Sequence, residues 1–416
     1  MPNQGQTTMR FMWLPKPIRK HVNNLLEQEM PRGRGSAVYR TLPAHLDKAE
    51  VNGKRHLVFV CYYAYPSTIK KSVALRRTGR YHTTLIACCI RQDLDITSWF
   101  DDAYEVEHYK ELFNVLNNAA PTVITACIQP SLLGAIVLEV CPDANVVVDI
   151  MDSGYFMRKD PNHIDSCLER AVLQRANTLV HKMPSPAIKE LRAAWDVDTP
   201  DVLAHCLPMT ELFQDTVPPP APPYRIVYAG GIMPYHAAVR DGHEHMIMDP
   251  IIRETADQNI LLTFLANLNA RDMFWEDQQR YFDHQKTFSH FAFRPGVPFY
   301  QLPSVISNFH YGLLYDQTRI SSWRTKAYAY NMSTKIFSYF EAGLPLLVYS
   351  EFEYICEIVN RHGLGVVYSL DKLDEIPALL AKADYERLRA NVKKYRNANN
   401  LETLIPTLEK LYGLPA

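Results

Sequence analysis

The stretch Thr216-Val-Pro-Pro-Pro-Ala-Pro-Pro-Tyr-Arg-Ile-Val-Tyr-Ala-Gly-Gly231 stands near the middle of a chain of 416 residues. Its first half has five prolines in seven residues, which excludes both a helix and a central strand. Its second half is an apolar run that ends in two glycines, as a buried parallel strand does before a tight turn. We therefore expect a stiff linker and then the first strand of a new domain.

Apolar runs alternate with helical patterns on both sides of this linker. Before it they cover 56–62, 83–90, 123–128, 145–150 and 178–181, and after it 225–231, 259–265, 290–294, 311–315, 345–349 and 365–368. This alternation predicts two α/β units, each with a parallel sheet. We expect an irregular basic arm at 1–50, Rossmann-like domains at 51–215 and 216–395, and a C-terminal helix at 396–416.

Positive charge is concentrated at the N-terminal end. Residues 1–80 contain 15 Lys or Arg and 4 Asp or Glu, a balance of +11 in a chain whose formal net charge is −1. The excess favours an anionic partner or a membrane surface, which Phe11-Met12-Trp13-Leu14 could contact. The alternative is a solvated basic face. Nucleic acid is not expected as a partner, because no recognised binding module accompanies the charge.

Metal and disulfide chemistry are not expected from the sequence. The eight cysteines include no CxxC pair, and several lie in strand-like runs, so we expect buried free thiols. No cluster of His, Cys and Asp has metal-ligand spacing. No run of about 18 apolar residues occurs, which predicts a cytoplasmic protein whose only membrane association is peripheral. We expect no cofactor and no metal requirement.

Two segments after the linker have the composition of an anion-binding site. Gly230 and Gly231 follow the first strand, where glycine lets the backbone approach a phosphate, although a plain tight turn is the alternative. Asn331-Met-Ser-Thr-Lys335 precedes a predicted helix that ends at Gly343. Ser333 and Thr334 are favourable N-cap residues, and Lys335 places a positive charge in the first turn.

The segment from Asn331 to Pro345 resembles the donor-site signature of GT-B glycosyltransferases, especially the retaining family four. That family has a pattern of the form N-K-x-x-E-Y-x-A-x-G-x-P-V, which Lys335, Tyr339, Gly343 and Pro345 match at the spacing written. The upstream run 293–303 is similar to the loop that reads the nucleobase in the family. The resemblance extends over roughly residues 56–412 and implies two Rossmann-like domains whose parallel sheets face a central cleft.

The resemblance assigns roles to individual residues. It implies that Gly230, Gly231, Arg294, Val297, Asn331, Ser333, Thr334, Lys335 and Ser338 bind a nucleotide-diphosphate sugar. It also implies that Asp152 is catalytic and that Ser153 and Tyr155 line the acceptor side. Ser338 occupies the position of the family's ribose-binding glutamate. Glu341, one helical step further on, either takes over a catalytic, ribose-binding role or forms a structural ion pair.

The implied activity is transfer of a sugar, with retention, from a nucleotide-diphosphate donor to a glycan, lipid or protein acceptor, as in polysaccharide biosynthesis. This would be a hexosyltransferase that needs no metal for its chemistry. A GT-B-fold epimerase, an inverting transferase and a catalytically degenerate scaffold are the alternatives. A dinucleotide-dependent dehydrogenase is disfavoured, because the sequence has no GxGxxG fingerprint.

Overall fold

The computed structural model describes residues 11–27, 39–90, 95–119, 121–127, 130–158, 160, 162–216, 218, 221–233, 235–240, 247–256, 258–266, 278–316 and 325–412. The chain divides into two compact units. Unit 1 comprises Met1–Ala204 together with Thr407–Ala416, and unit 2 comprises His205–Pro406.

Unit 1 contains a mainly parallel sheet with helices between its strands. Its strands are Glu50–Val51 (β1), Lys54–Tyr63 (β2), Tyr81–Cys89 (β3), Asp102–Glu105 (β4), Val123–Cys127 (β5), Asn145–Ile150 (β6), Thr178–His181 (β7) and Asp201–Leu203 (β8). Its helices are Lys16–Leu26 (α1), Pro66–Arg77 (α2), Tyr109–Ala119 (α3), Ser131–Val140 (α4), Gly154–Met157 (α5), Ile164–Arg175 (α6) and Ser185–Trp195 (α7).

Unit 2 repeats this architecture. Its strands are Tyr224–Gly230 (β9), Ile260–Ala266 (β10), Phe291–Pro295 (β11), Tyr311–Leu314 (β12), Leu346–Tyr349 (β13) and Gly365–Tyr368 (β14). Its helices are Tyr235–Arg240 (α8), Asp249–Glu254 (α9), Gln279–Thr287 (α10), Leu302–Ile306 (α11), Thr325–Ala329 (α12), Lys335–Glu341 (α13), Glu353–His362 (α14), Ile376–Lys382 (α15), Tyr385–Ala398 (α16) and Leu401–Tyr412 (α17). Helix α17 begins in unit 2, and its residues from Thr407 onward belong to unit 1.

The strand orders are those of doubly wound α/β folds. Unit 1 has the order β4-β3-β2-β5-β6-β7-β8, with β1 antiparallel to β2, and unit 2 has the order β11-β10-β9-β12-β13-β14. The second order is the 3-2-1-4-5-6 arrangement of the Rossmann fold. The prediction of two Rossmann-like units is therefore confirmed. The short strands β4 and β8 were not expected, since their polar residues give no apolar run.

The N-terminal segment differs from its predicted irregular form. Helix α1 forms because Pro17 lies in its first turn, where a missing backbone N–H costs nothing. Phe11 and Leu14 are buried, and the Trp13 indole donates to Glu139 of α4 over 2.8 Å. Most of the segment expected to contact a membrane is thus packed inside unit 1, with Met12 exposed. Residues 1–10 and 28–38, which carry other basic side chains, lie outside the described residues.

The boundary between the units falls earlier in the chain than the proline-rich segment. Residues 205–215 belong to unit 2 because they are hydrogen-bonded to it: the Met209 N–H donates to the Glu341 carboxylate over 2.8 Å. The Gln214 N–H donates to the Glu341 carbonyl over 2.8 Å. The predicted helix at 396–416 is instead divided between α16 and α17, and its last residues are grouped with unit 1.

Seven of the eight cysteines are buried and all eight are free, as the sequence predicted. In the part of the chain that the structure describes, no helix has the length and apolar character needed to cross a membrane.

Candidate donor-binding site

The sheet of unit 2 reverses its strand order between β9 and β12, which are neighbouring strands. In open parallel sheets, ligands bind beyond the carboxyl ends of the strands at this reversal. Gly230 ends β9, and Tyr315 follows β12. The candidate site of unit 2 is therefore at the edge where the sequence placed its glycine pair.

Gly230 and Lys335 are brought together at this edge. A Cβ atom added to Gly230 would lie 2.1 Å from Cε of Lys335, so only glycine leaves room for the lysine side chain. A Cβ atom added to Gly231 would have no protein atom within 4 Å, so open space adjoins this residue. The sequence expected these three residues at one anion site, and the geometry within unit 2 is compatible with that expectation.

A buried tyrosine, Tyr228, lies beside the lysine. Nζ of Lys335 lies 5.0 Å from the centroid of the Tyr228 ring, within the range of a cation–π contact. The Tyr228 hydroxyl donates to the Gly231 carbonyl over 3.1 Å, which holds the turn after β9. Burial raises the pKa of Tyr228, so this residue stays a neutral phenol. The ammonium is consequently held beside the glycine pair.

Tyr339 of α13 joins β9 to β12. Its hydroxyl accepts from the Ala229 N–H over 2.9 Å and donates to the Leu313 carbonyl over 3.1 Å. Gly312 makes this possible, because a Cβ there would lie 2.3 Å from Cγ of the Tyr339 ring. The aromatic position of the signature is thus a structural link beneath the site. Neither Tyr228 nor Tyr339 was expected to have such a role.

The segment before α13 differs from the predicted capped helix. Thr334 is the N-cap, but its backbone is already helical and its side chain makes no capping hydrogen bond. Ser333 and Thr334 are half-buried, and so is Asn331, whose Oδ1 atom has no hydrogen-bond partner among the described residues. The helix has only seven residues. It ends as predicted at Gly343, whose φ of +74° suits a residue without a side chain.

Arg294 and Val297 lie at the same edge of the sheet as Gly230, further along it. Ala266 of β10 pairs with Gly230 on one side and with Pro295 on the other. Gly230 is therefore two strand spacings, about 10 Å, from the start of the loop that contains Val297. Arg294 is exposed and Val297 is half-exposed. The loop remains available for the base-reading role that the resemblance implies.

Glu341 is structural, which corrects the expectation that it is catalytic. Its side chain is fully buried, and one carboxylate oxygen accepts from the Met209 N–H over 2.8 Å. It lies on the far end of α13 from Lys335. A fully buried carboxylate cannot accept hydrogen bonds from ribose hydroxyls. Ser338, in contrast, is half-buried on the same helix.

Substitution of Glu341 with glutamine is expected to lower stability without changing nucleotide affinity. The amide oxygen can still accept from the Met209 N–H, but the hydrogen bond loses its charge, which costs roughly 1 kcal/mol. Urea unfolding and calorimetric titration with a nucleotide diphosphate measure the two quantities. Ser338→Glu is the matched variant, because it places a carboxylate on the accessible part of the helix and should not weaken nucleotide binding. A sharp loss of nucleotide affinity in Glu341→Gln, with unchanged stability, would restore the ribose-binding role.

The predicted residues of unit 1 follow β6, at the carboxyl edge of that sheet. Asp152 forms an ion pair with Lys182, which follows β7, and the joined atoms are 3.2 Å apart. Ser153 is buried and caps α5, and its hydroxyl donates to Glu169 over 2.8 Å. The ring of Tyr155 packs edge-on against Trp195. Ser153 therefore has a structural role, whereas Asp152 is more than one-third exposed and remains accessible.

Glu169 is a buried acid beside these residues that was not expected to be important. Its carboxylate accepts from the Gly154 N–H over 2.8 Å, and a Cβ on Gly154 would lie 2.6 Å from it. Burial raises the pKa of Glu169 to about 7, against the opposing effect of the hydrogen bonds from Ser153 and Gly154. The carboxyl group therefore changes protonation near neutrality. No sequence pattern indicated a role for Glu169, because the residues that donate to its carboxylate lie about fifteen positions earlier in the chain.

Comparison with known proteins agrees with this architecture. Residues 263–402 match the family described as "Glucosyltransferase 3-like, C-terminal domain". No curated protein matches the chain. Anabaena HepE, solved in complex with UDP-glucose, has a TM-score of 0.64 at 9% identity, over 86% of this chain and 100% of that one.

Two further solved structures have similar scores. The Escherichia coli trehalose-6-phosphate protein solved with UDP-2-fluoro glucose has a TM-score of 0.55 at 10% identity, over 86% of this chain and 99% of that one. The N-terminal domain of Candida albicans trehalose-6-phosphate phosphatase has a TM-score of 0.57 at 8% identity, over 88% of this chain and 98% of that one. At such identities the likeness establishes the fold. The chain therefore has the GT-B fold, and residues 263–402 of its second unit resemble the glucosyltransferase 3-like C-terminal domain.

Proposed function

We propose that this protein transfers a hexosyl group from a nucleotide-diphosphate sugar to a glycan, lipid or protein acceptor, with retention at the anomeric carbon. The observation that carries the proposal is the contact between Lys335 and Gly230 at the strand reversal of unit 2. A cation beside an open glycine turn suits a diphosphate. The matched family and the UDP ligands of similar structures favour glucose as the sugar and uracil as the base.

The reaction breaks the bond between the anomeric carbon and the diphosphate oxygen, and it forms a bond from that carbon to an acceptor oxygen. The acceptor proton passes to the departing phosphate oxygen or to water. Negative charge therefore builds on the diphosphate in the transition state. The ammonium of Lys335 and the backbone N–H groups after β9 would stabilise that charge. Ser338 and the loop containing Val297 would bind the nucleoside.

Asp152 is our candidate for the acceptor side in unit 1, together with Tyr155. Its carboxylate follows β6, remains partly exposed and is oriented by Lys182. A carboxylate there can accept a hydrogen bond from an acceptor hydroxyl. An anionic acceptor is compatible with the excess of Lys and Arg in the first 80 residues.

A second candidate function is a scaffold that binds a nucleotide sugar without transferring the sugar. Two observations favour it: Ser338 replaces the carboxylate that the family uses, and the nearby Glu341 is buried. Without an accessible carboxylate, α13 would bind ribose more weakly, since a carboxylate makes stronger hydrogen bonds than a hydroxyl. Binding and turnover therefore need separate measurement.

Release of nucleotide from a panel of nucleotide-diphosphate sugars, with and without added oligosaccharide acceptors, tests the proposal. We expect saturable binding of at least one donor and release of nucleoside diphosphate that is stimulated by acceptor. Binding without release would favour the scaffold. Conversion of the donor sugar without an acceptor would indicate an epimerase, and absence of binding to every donor would contradict the proposal.

A further inference from the structure

Three histidines and an aspartate converge in unit 1, at the opposite edge of the sheet from Asp152. His56 lies near the start of β2, His82 near the start of β3, and Asp102 at the start of β4. His45 approaches from the segment before β1. The carboxyl end of β2 is about 20 Å away, because each strand residue advances roughly 3.3 Å. The cluster is therefore separate from the residues expected to bind acceptor.

Two of the imidazoles are directed at one carboxylate oxygen. Nε2 of His45 and Nε2 of His82 lie 2.9 Å and 2.5 Å from Oδ2 of Asp102. The two nitrogen atoms are themselves only 3.1 Å apart. If both nitrogens carried protons to donate to Asp102, the two N–H groups would also face each other closely. A cation between them would instead satisfy both lone pairs and the carboxylate.

His56 is oriented as a metal ligand commonly is. Its Nδ1 atom lies 3.0 Å from the Lys48 carbonyl, an acceptor that requires the proton on Nδ1 and leaves Nε2 with a lone pair. Metal-ligating histidines usually have this kind of partner on the second nitrogen. Nε2 of His56 now lies 2.8 Å from the Thr84 hydroxyl. Candidate ligand atoms of the three histidines all lie within 4.8 Å of one another.

We propose that His45, His82 and Asp102, with His56 as the fourth ligand, form a tetrahedral Zn²⁺ site. With Zn–N bonds of about 2.0–2.1 Å, ligand atoms of such a site are roughly 3.3 Å apart. Three of the four atoms already approach this spacing. His56 completes the set by exchanging its hydrogen bond with Thr84 for the metal. Three imidazoles and one carboxylate suit zinc and disfavour Mg²⁺, which selects oxygen ligands.

The zinc would be structural. With four protein ligands no position is left for water or substrate, as in closed zinc sites. The metal would link the segment around His45 to the neighbouring strands β2, β3 and β4. No such cluster was expected from the sequence, whereas the three histidines lie together in the described structure. Sequence spacing could not reveal it, because the ligands are spread over residues 45–102 and meet through strand register, with His56 paired to His82.

Titration of the metal-free full-length protein with Zn²⁺ and with Co²⁺ tests the site. We expect one equivalent to bind, the strong visible absorption of four-coordinate Co²⁺, and a melting temperature raised by Zn²⁺ and unaffected by Mg²⁺. His45→Ala and Asp102→Asn should weaken binding by more than the 10- to 100-fold that loss of an outer partner costs. Circular dichroism of each metal-free variant checks that it is folded.

Two controls locate the metal. His362→Ala removes an exposed histidine of unit 2, and the double variant His243→Ala/His245→Ala removes a His-Glu-His run. Both should bind Co²⁺ as the wild type does. Weak octahedral absorption with wild-type protein, or unchanged affinity in folded His45→Ala and Asp102→Asn, would overturn the proposal. Loss of the tight site in the double variant alone would also overturn it.

Discussion

Replacement of Lys335 with alanine is expected to weaken binding of a nucleoside diphosphate by roughly 10- to 150-fold, corresponding to the 1.5–3 kcal/mol of a hydrogen bond to a charged group. The lysine lies against Gly230 and over the Tyr228 ring, so its ammonium is held at the strand reversal. Isothermal titration calorimetry with UDP measures the change. Lys286→Ala, at an exposed lysine of α10, is the matched control and should bind as the wild type does.

Two glycine variants distinguish the contribution of the Lys335 charge to binding from that of the backbone after β9. Gly230→Ala should displace the flexible lysine side chain and weaken binding, with little change in melting temperature. In Gly231→Ala the added Cβ has no protein atom within 4 Å. A loss of nucleotide affinity in this variant would therefore indicate that the ligand covers this part of the backbone. Unchanged affinity in a folded Lys335→Ala protein would exclude the lysine from the donor site.

Replacement of Arg396 with alanine is expected to lower the free energy of unfolding by about 1.5–3 kcal/mol, the range for hydrogen bonds from a charged group. The side chain is 2% exposed. One guanidinium nitrogen donates to the carbonyls of Gln214, Phe340 and Glu341, and the other donates to Asp215. Alanine would remove one donor from each of these carbonyls, at the end of the helix that begins with Lys335. The Glu341 carbonyl would keep the Gln214 N–H, and the Phe340 carbonyl would keep the Gly343 N–H. Urea unfolding of the full chain measures the loss.

Lys393→Ala is the matched control for Arg396. Lys393 also pairs with Asp215, at 3.3 Å, but its side chain is 59% exposed. Exposed pairs contribute about 0–1 kcal/mol, so this variant should unfold nearly as the wild type does. Arg396→Lys should recover only part of the loss, because an ammonium lacks the planar fork that reaches several carbonyls. Equal stability of Arg396→Ala and wild type would show that the carbonyls find other donors.

The sequence predicted the fold well, because apolar strands and the proline-rich segment are local signals. Buried parallel strands appear as continuous apolar runs, and these fixed β9 and β12 to within one residue at either end. The resemblance also assigned Gly230 and Lys335 to one donor site, but no local pattern predicted that the two residues touch.

What the sequence could not predict depends on partners that are distant in the chain. Glu341 was misassigned because its acceptor role involves Met209, which lies 132 positions away. The histidine cluster depends on strand register, and its fourth member Asp102 begins an edge strand too polar to be recognised. Helix α1 was missed because residues 1–50 were expected to be irregular, although a proline in the first turn is compatible with a helix.

The return of residues 407–412 to unit 1 has a consequence for biosynthesis. Tyr412 is buried there, where its hydroxyl accepts from Thr125 over 2.9 Å and its ring packs edge-on against Phe59. Domains usually fold in the order in which they leave the ribosome. Here unit 1 needs residues 407–412, which follow all of unit 2 in the chain, so unit 2 can finish folding earlier. Of the two units, the one whose synthesis begins first is completed last.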